Sequence, residues 1–69
     1  MAQPGEAFKH RIDSIADAEL LEMERRSLQR LLNATRDAKQ FREAAAQTAY
    51  ILERLKMLAD EEAEAEWDR

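Results

Sequence analysis

Cysteine is absent from this chain of 69 residues. Disulfide bonds and cysteine-based zinc sites, which commonly stabilise extracellular domains of this size, are therefore excluded. A chain this short is one domain at most, and it buries a modest fraction of its surface when it folds alone. Its stability must come from the packing of apolar side chains, within the chain or against a second copy.

Glycine and proline occur once each, at Gly5 and Pro4. The residues that break regular structure are thus confined to the first few positions. Hydrophobic residues make up 45% of the chain, with Ala, Leu, Glu and Arg abundant, which is typical of helix-forming sequences. We therefore predict an all-α fold.

Long apolar runs and clusters of reactive side chains are also lacking. No run approaches the roughly 20 apolar residues of a membrane span, and the first residues lack a signal-peptide pattern, so we expect a cytoplasmic protein without a membrane partner. His10 is the only histidine, whereas metal sites and base–nucleophile pairs need several converging groups. We expect no catalytic residue, no metal site, no cofactor and no enzymatic activity.

Two amphipathic stripes predict a two-helix antiparallel hairpin over residues 12–66. Residues 1–11 are assigned to a flexible N-terminal tail with helical potential from Glu6 to Ile12. Helix one is predicted over about 15–33, where Ser14 and Asp17 are candidate caps. A turn at about 34–37 leads into helix two over about 38–66, and residues 67–69 form the C-terminal end.

The large apolar side chains of the stripes are expected in the hydrophobic core or in a dimer interface. They recur at spacings of three, four and seven residues. The residues concerned are Leu20, Leu28, Leu31, Phe41, Ile51, Leu52, Leu55 and Leu58. Because a lone two-helix hairpin leaves half of each stripe in water, we expect homodimerisation into a four-helix assembly.

A single long coiled-coil helix is the competing fold, because neither glycine nor proline marks the turn. A strict seven-residue register runs through it. The first core position of this register is occupied by Leu20, Ser27, Ala34, Phe41, Thr48, Leu55 and Glu62. The second core position is occupied by Leu31, Ala38, Ala45, Leu52 and Ala59. The hairpin is favoured because several of these residues are small or polar and because Leu21, Leu28 and Leu32 lie outside the register.

Charge is distributed unevenly along the chain, although the net charge is only -4. Basic residues dominate between positions 25 and 42, whereas acidic residues dominate from position 60 onward. The net negative charge disfavours nucleic acid as a partner. The basic segment is either a solvated surface or a docking site for an acidic or mixed protein surface.

Some arginine, aromatic and methionine side chains stand apart from the apolar stripes and are candidates for binding a partner protein. They are Arg26, Arg30, Arg36, Tyr50 and Met57. Alternatively, the arginines only keep the surface soluble. Tyr50 and Met57 would then widen a stripe or pack across the dimer.

In length, lack of cysteine, high charge and helical layout, the chain resembles phage-encoded anti-quorum-sensing proteins. The resemblance covers the whole chain but rests on size and architecture, without a motif that would assign residues. It implies a non-enzymatic inhibitor in the host cytoplasm that binds a bacterial host protein. The expected host proteins are a LuxR-type quorum-sensing regulator, the type IV pilus assembly ATPase, or both.

Two other functions remain open. One is a dimeric RNA-binding helical hairpin of the Rop type, which is also acidic and which would hold RNA with basic residues on paired helices. The other is a structural coiled-coil subunit of a larger assembly. Salt-sensitive binding of RNA would distinguish the first of these from a protein inhibitor.

Overall fold

A computed structural model of the protein describes the backbone of residues 4–67 and the side chains of residues 4–62. It contains three helices, α1 over Glu6–Asp13, α2 over Ala18–Ala34 and α3 over Ala38–Trp67. Both α1 and α2 pack against α3. The predicted all-α class is confirmed, but the described residues form three helices instead of the two that the sequence predicts.

Helix α1 occupies positions that the sequence assigns to the tail. The tail assignment is wrong for residues 6–11, while residues 1–3 lie outside the described part of the chain. Eight residues are too few for a stable isolated helix. α1 forms because Phe8 and Ile12, four residues apart on one helix face, pack into the core.

Helix α2 begins at one of the two predicted caps. The Asp17 carboxylate accepts a hydrogen bond from the backbone N–H of Glu19 at 2.9 Å, which satisfies a free donor at the helix start. Ser14, the other candidate, instead closes α1, since its hydroxyl donates to the carbonyl oxygen of Arg11 at 2.8 Å. α2 therefore begins at Ala18, three residues later than predicted.

Residues 35–37 separate α2 from α3 without glycine or proline. Thr35 has an extended backbone, which ends α2, and its hydroxyl accepts a hydrogen bond from the N–H of Asp37 at 3.2 Å. The Asp37 carboxylate in turn accepts one from the N–H of Lys39 at 3.0 Å, which caps α3. Such side-chain bonds to the backbone compete with a continuous helix. The alternative of one uninterrupted helix is therefore wrong.

The core lies where the three helices meet. Ile12 of α1, Leu21 of α2 and Ile51 of α3 are fully buried, and Ala44 is nearly so. The partly buried side chains packed against this cluster are Phe8, Ile15, Leu28, Tyr50, Leu55 and Leu58. With three large side chains fully buried in the described part of the chain, the core is small.

Only some of the residues predicted for the core or dimer interface belong to this core. Ile51 is buried, and Leu28, Leu55 and Leu58 pack against it. The other four are between 38% and 50% exposed in the single chain, namely Leu20, Leu31, Phe41 and Leu52. These four therefore lie outside the chain's own core, because the three helices cover only one sector of each apolar stripe, and their place in a dimer interface stays a prediction.

Candidate protein-binding surface

The five residues predicted to bind a partner do not form one continuous surface. Arg26 and Arg30 are exposed on α2, Arg36 lies in the connection to α3, and Met57 lies far along α3. Because a helix rises 1.5 Å per residue, Arg36 and Met57 are roughly 30 Å apart. Met57 instead borders a separate depression with Asp13, Tyr50, Glu53 and Arg54.

Tyr50 is engaged within the chain. Its hydroxyl donates a hydrogen bond to the Asp13 carboxylate at 2.7 Å, and its ring meets the Phe8 ring edge-on, with centroids 6.3 Å apart. The hydrogen bond to the carboxylate raises the pKa of Tyr50, with smaller contributions from burial and from the negative charge of Asp13. Tyr50 therefore holds α1 against α3.

Two arginines strengthen the attachment of α1 to the other helices. Arg54 donates to the backbone carbonyl oxygens of Asp13 and Ile15 at 3.4 and 3.3 Å, just where α1 ends and its helix dipole is negative. Arg11 donates two hydrogen bonds to the Glu24 carboxylate of α2, the shorter at 2.6 Å, and this bond raises the pKa of Arg11. These basic residues are therefore structural.

Arg25 is also paired within the chain, although it belongs to the basic segment. Its guanidinium donates to the Glu22 carboxylate at 3.0 Å, and this hydrogen bond lowers the pKa of Glu22. In contrast, Arg26 and Arg30 form no ion pair with any described residue. Both arginines are exposed, and Arg26 interacts with Glu22 through charge without forming a hydrogen bond to it.

The side of α2 that faces away from the core combines these two arginines with apolar side chains. We call it the α2 outer face, and its exposed residues are Leu20, Met23, Arg26, Ser27, Arg30 and Leu31. Spacings of three, four and eleven residues place them on one broad side of the helix. Met23 is the most exposed of the apolar members, at 63%.

Two shallow depressions lie on either side of Met23. One is lined by Ile15, Leu20, Met23, Glu24 and Ser27. The other is lined by Ala18, Glu19, Glu22, Met23 and Arg26. Both are open to solvent, unlike the enclosed pockets that bury most of a small ligand. Their shape suits contact with a protein surface better than enclosure of a substrate.

The sequence predicts Arg26 and Arg30 as partner-binding residues, but it does not predict Leu20 and Leu31 as exposed neighbours of these arginines. Leu20 and Leu31 were expected in the core or in a dimer interface, because leucine in an amphipathic helix is most often buried. The sequence does contain a signal for this surface. Met23 lies three residues before Arg26, and Arg26 lies four residues before Arg30, so a methionine and two arginines share one side of α2.

No family is identified. Comparison with known proteins gives no match to a protein-family model, to a curated protein or to a solved structure. Among the described residues, no group of three or more His, Cys, Asp or Glu is placed to hold a metal ion. None of the helices, as far as the structure describes them, is long and apolar enough to cross a membrane. The α2 outer face is therefore interpreted from its own chemistry.

Proposed function

We propose that this protein is a non-enzymatic inhibitor that docks the α2 outer face onto another protein. One observation carries the proposal: exposed leucine and methionine side chains lie beside arginines that form no ion pair with a described residue. Arginine is enriched among the residues that dominate the binding energy of protein interfaces, and methionine is enriched at interfaces relative to the rest of the surface. Three exposed apolar side chains grouped on one helix face, Leu20, Met23 and Leu31, form the kind of patch that marks a protein interaction site.

The arrangement fits a helix that lies in a groove of its partner. Leu20, Met23 and Leu31 follow the spacing of helical anchors that insert into an apolar groove. Arg26 and Arg30 lie beside these anchors and offer planar donors that suit carboxylates. The expected partner surface is therefore an apolar groove with acidic residues along its rim.

The resemblance to phage-encoded anti-quorum-sensing proteins supplies the first partners to test. These are a bacterial LuxR-type quorum-sensing regulator and the type IV pilus assembly ATPase. Docking of α2 would block the activity of either protein in the host cytoplasm. We also propose that the chain acts as a homodimer, because Phe41 and Leu52 on α3 are half exposed and lie outside the α2 outer face, which leaves apolar surface uncovered in one copy.

The proposal is tested by measuring affinity for each purified candidate by calorimetry. We expect Arg26→Glu with Arg30→Glu to weaken binding by about 30-fold or more, the loss typical of interface hot spots. Arg26→Lys with Arg30→Lys keeps the charge but loses the planar donors, so it should weaken binding by less than charge reversal does. Circular dichroism should show unchanged helical content in both variants.

Lys56→Glu is the control for charge, because Lys56 is an exposed base on α3 away from the α2 outer face. It should bind as the wild type does. Full affinity of the doubly reversed variant, or affinity lost only through unfolding, would remove the α2 outer face from the proposal. Salt-sensitive binding of RNA by the purified chain, with no protein partner, would replace the proposed function by RNA binding.

A further inference from the structure

A second exposed apolar surface lies on α3 and includes no residue of the α2 outer face. Phe41 and Leu52 are 48% and 49% exposed and lie eleven residues, or three helical turns, apart on the same side. Smaller or partly covered residues continue this side at alternating spacings of four and three. We define the α3 seam as Phe41, Ala45, Thr48, Leu52, Leu55 and Ala59.

The α3 seam has the spacing of a coiled coil, in which apolar residues at two positions of every seven pack against another helix. The chain's own core does not use this side fully, since Leu55 packs on the core cluster while Phe41 and Leu52 remain half exposed. The hydroxyl of Thr48 donates to the carbonyl oxygen of Ala44 at 2.8 Å. Thr48 therefore brings no unpaired donor into a dry interface.

We propose that the α3 seam binds the same seam of a second copy of this chain, with the two α3 helices antiparallel. A two-fold axis level with Tyr50 pairs residues equally far before and after that position. The resulting layers are Phe41 with Ala59, Ala45 with Leu55, and Thr48 with Leu52 of the other copy. Each layer joins one large and one small side chain, so the interface fills evenly.

A parallel arrangement packs less well. It would place Phe41 against Phe41 and Leu52 against Leu52, while Ala45 and Ala59 would each meet another alanine. Large side chains would then crowd some layers and leave gaps in others, and both faults destabilise a packed interface. The order of large and small residues along the seam therefore favours the antiparallel direction.

The proposed interface rests on the homodimer proposed above. It specifies which surface of the chain forms the homodimer and the relative direction of the two α3 helices. Because the α3 seam shares no residue with the α2 outer face, the inhibitor function and the dimer interface can fail separately. A dimer built in this way would present two α2 outer faces. The seam can then be tested in the full chain without any partner protein.

Disulfide formation tests the direction of the helices, and the absence of native cysteine makes the result clear. Thr48→Cys and Leu52→Cys are prepared as separate variants, mixed and oxidised. The mixture should give mostly the mixed disulfide by mass, in which one copy of each variant is joined, while each variant alone should cross-link poorly. In the antiparallel dimer, two cysteines at the same position of the two copies would lie about 6 Å apart along the helix axes. This offset adds to the separation between the two helices, so the total distance exceeds the reach of a disulfide.

Leu52→Glu tests the surface, with Met57→Glu as its control, because Met57 is similarly exposed at 56% but lies outside the seam. In analytical ultracentrifugation, Leu52→Glu should be monomeric and Met57→Glu should remain a dimer. Efficient cross-linking of each cysteine variant alone would overturn the antiparallel direction. A stable dimer of Leu52→Glu would overturn the surface, and a wild-type monomer at tens of micromolar would overturn the proposed dimer as well.

Discussion

The region around α1 and the region around the connection at residues 35–37 use similar side chains in opposite ways. Near α1, Tyr50 and Arg54 bond to residues of the same chain. Near the connection, Phe41 and Arg36 are exposed. Tyr50 and Phe41 lie nine residues apart, on opposite sides of α3. Helix α1 covers the side of α3 that carries Tyr50, so Tyr50 supports the fold. The side that carries Phe41 is not covered in this way, so Phe41 remains available for binding.

The largest effect is expected from two neighbouring leucines of α2. Leu21 is fully buried, whereas Leu20 is 50% exposed. Leu21→Ala should lower the free energy of unfolding by about 2–5 kcal/mol, since it leaves a cavity in the core. Leu20→Ala should lower it by about 1 kcal/mol or less. Denaturant unfolding at one fixed protein concentration measures both, and equal losses would show that the core is not where the structure places it.

A smaller effect is expected from the hydrogen bond between Tyr50 and Asp13. Because the pKa of Tyr50 is raised above its ordinary value of 10.0, the bond stabilises the fold below that pH, and the contribution is lost as pH rises through the higher folded value. The wild type should therefore lose stability more steeply than Tyr50→Phe above pH 10.

The same bond can be followed directly, because Tyr50 is the only tyrosine. Asp13→Asn should lower the pKa of Tyr50 toward its ordinary value, as seen in the ultraviolet absorbance of ionised tyrosine. An unchanged titration in this variant would mean that Asp13 does not accept the bond. α1 would then be held by apolar packing and by the bonds of Arg11 and Arg54, without Tyr50, and the contrast with the connection would weaken.

The smallest effect is expected from the ion pair between Glu22 and Arg25 on the surface of α2. The pair lowers the pKa of Glu22, so it stabilises the fold above the ordinary glutamate value and the contribution is lost as pH falls through the folded value. Glu22→Gln should lower the melting temperature slightly near neutral pH and low salt, but not in high salt, where exposed pairs are screened. Glu53→Gln, which breaks no described ion pair, is the matched control.

Local signals in the sequence predicted much of α2 and α3. Asp17 and Asp37 cap these helices, and α3 begins at the predicted residue because its cap needs only nearby backbone groups. α1 was not predicted as part of the core, since Phe8 and Ile12 form a stripe too short to stand out from a tail. The interaction of Tyr50 with Asp13 spans 37 residues, and no local pattern indicates such a contact.

The kinds of residues in the candidate surfaces could be predicted from the sequence, but the positions of these surfaces on the folded chain could not. The amphipathic spacing of the chain, its helix caps and its seven-residue register follow from the order of residues alone, because they depend on neighbours within one or two turns. Which sector of each stripe is buried depends on how three helices meet, and a stripe wider than that contact leaves part of itself in water. Only the tertiary structure therefore determines that Leu21 is buried while Leu20 is exposed, and that Tyr50 packs against the core while Phe41 remains exposed.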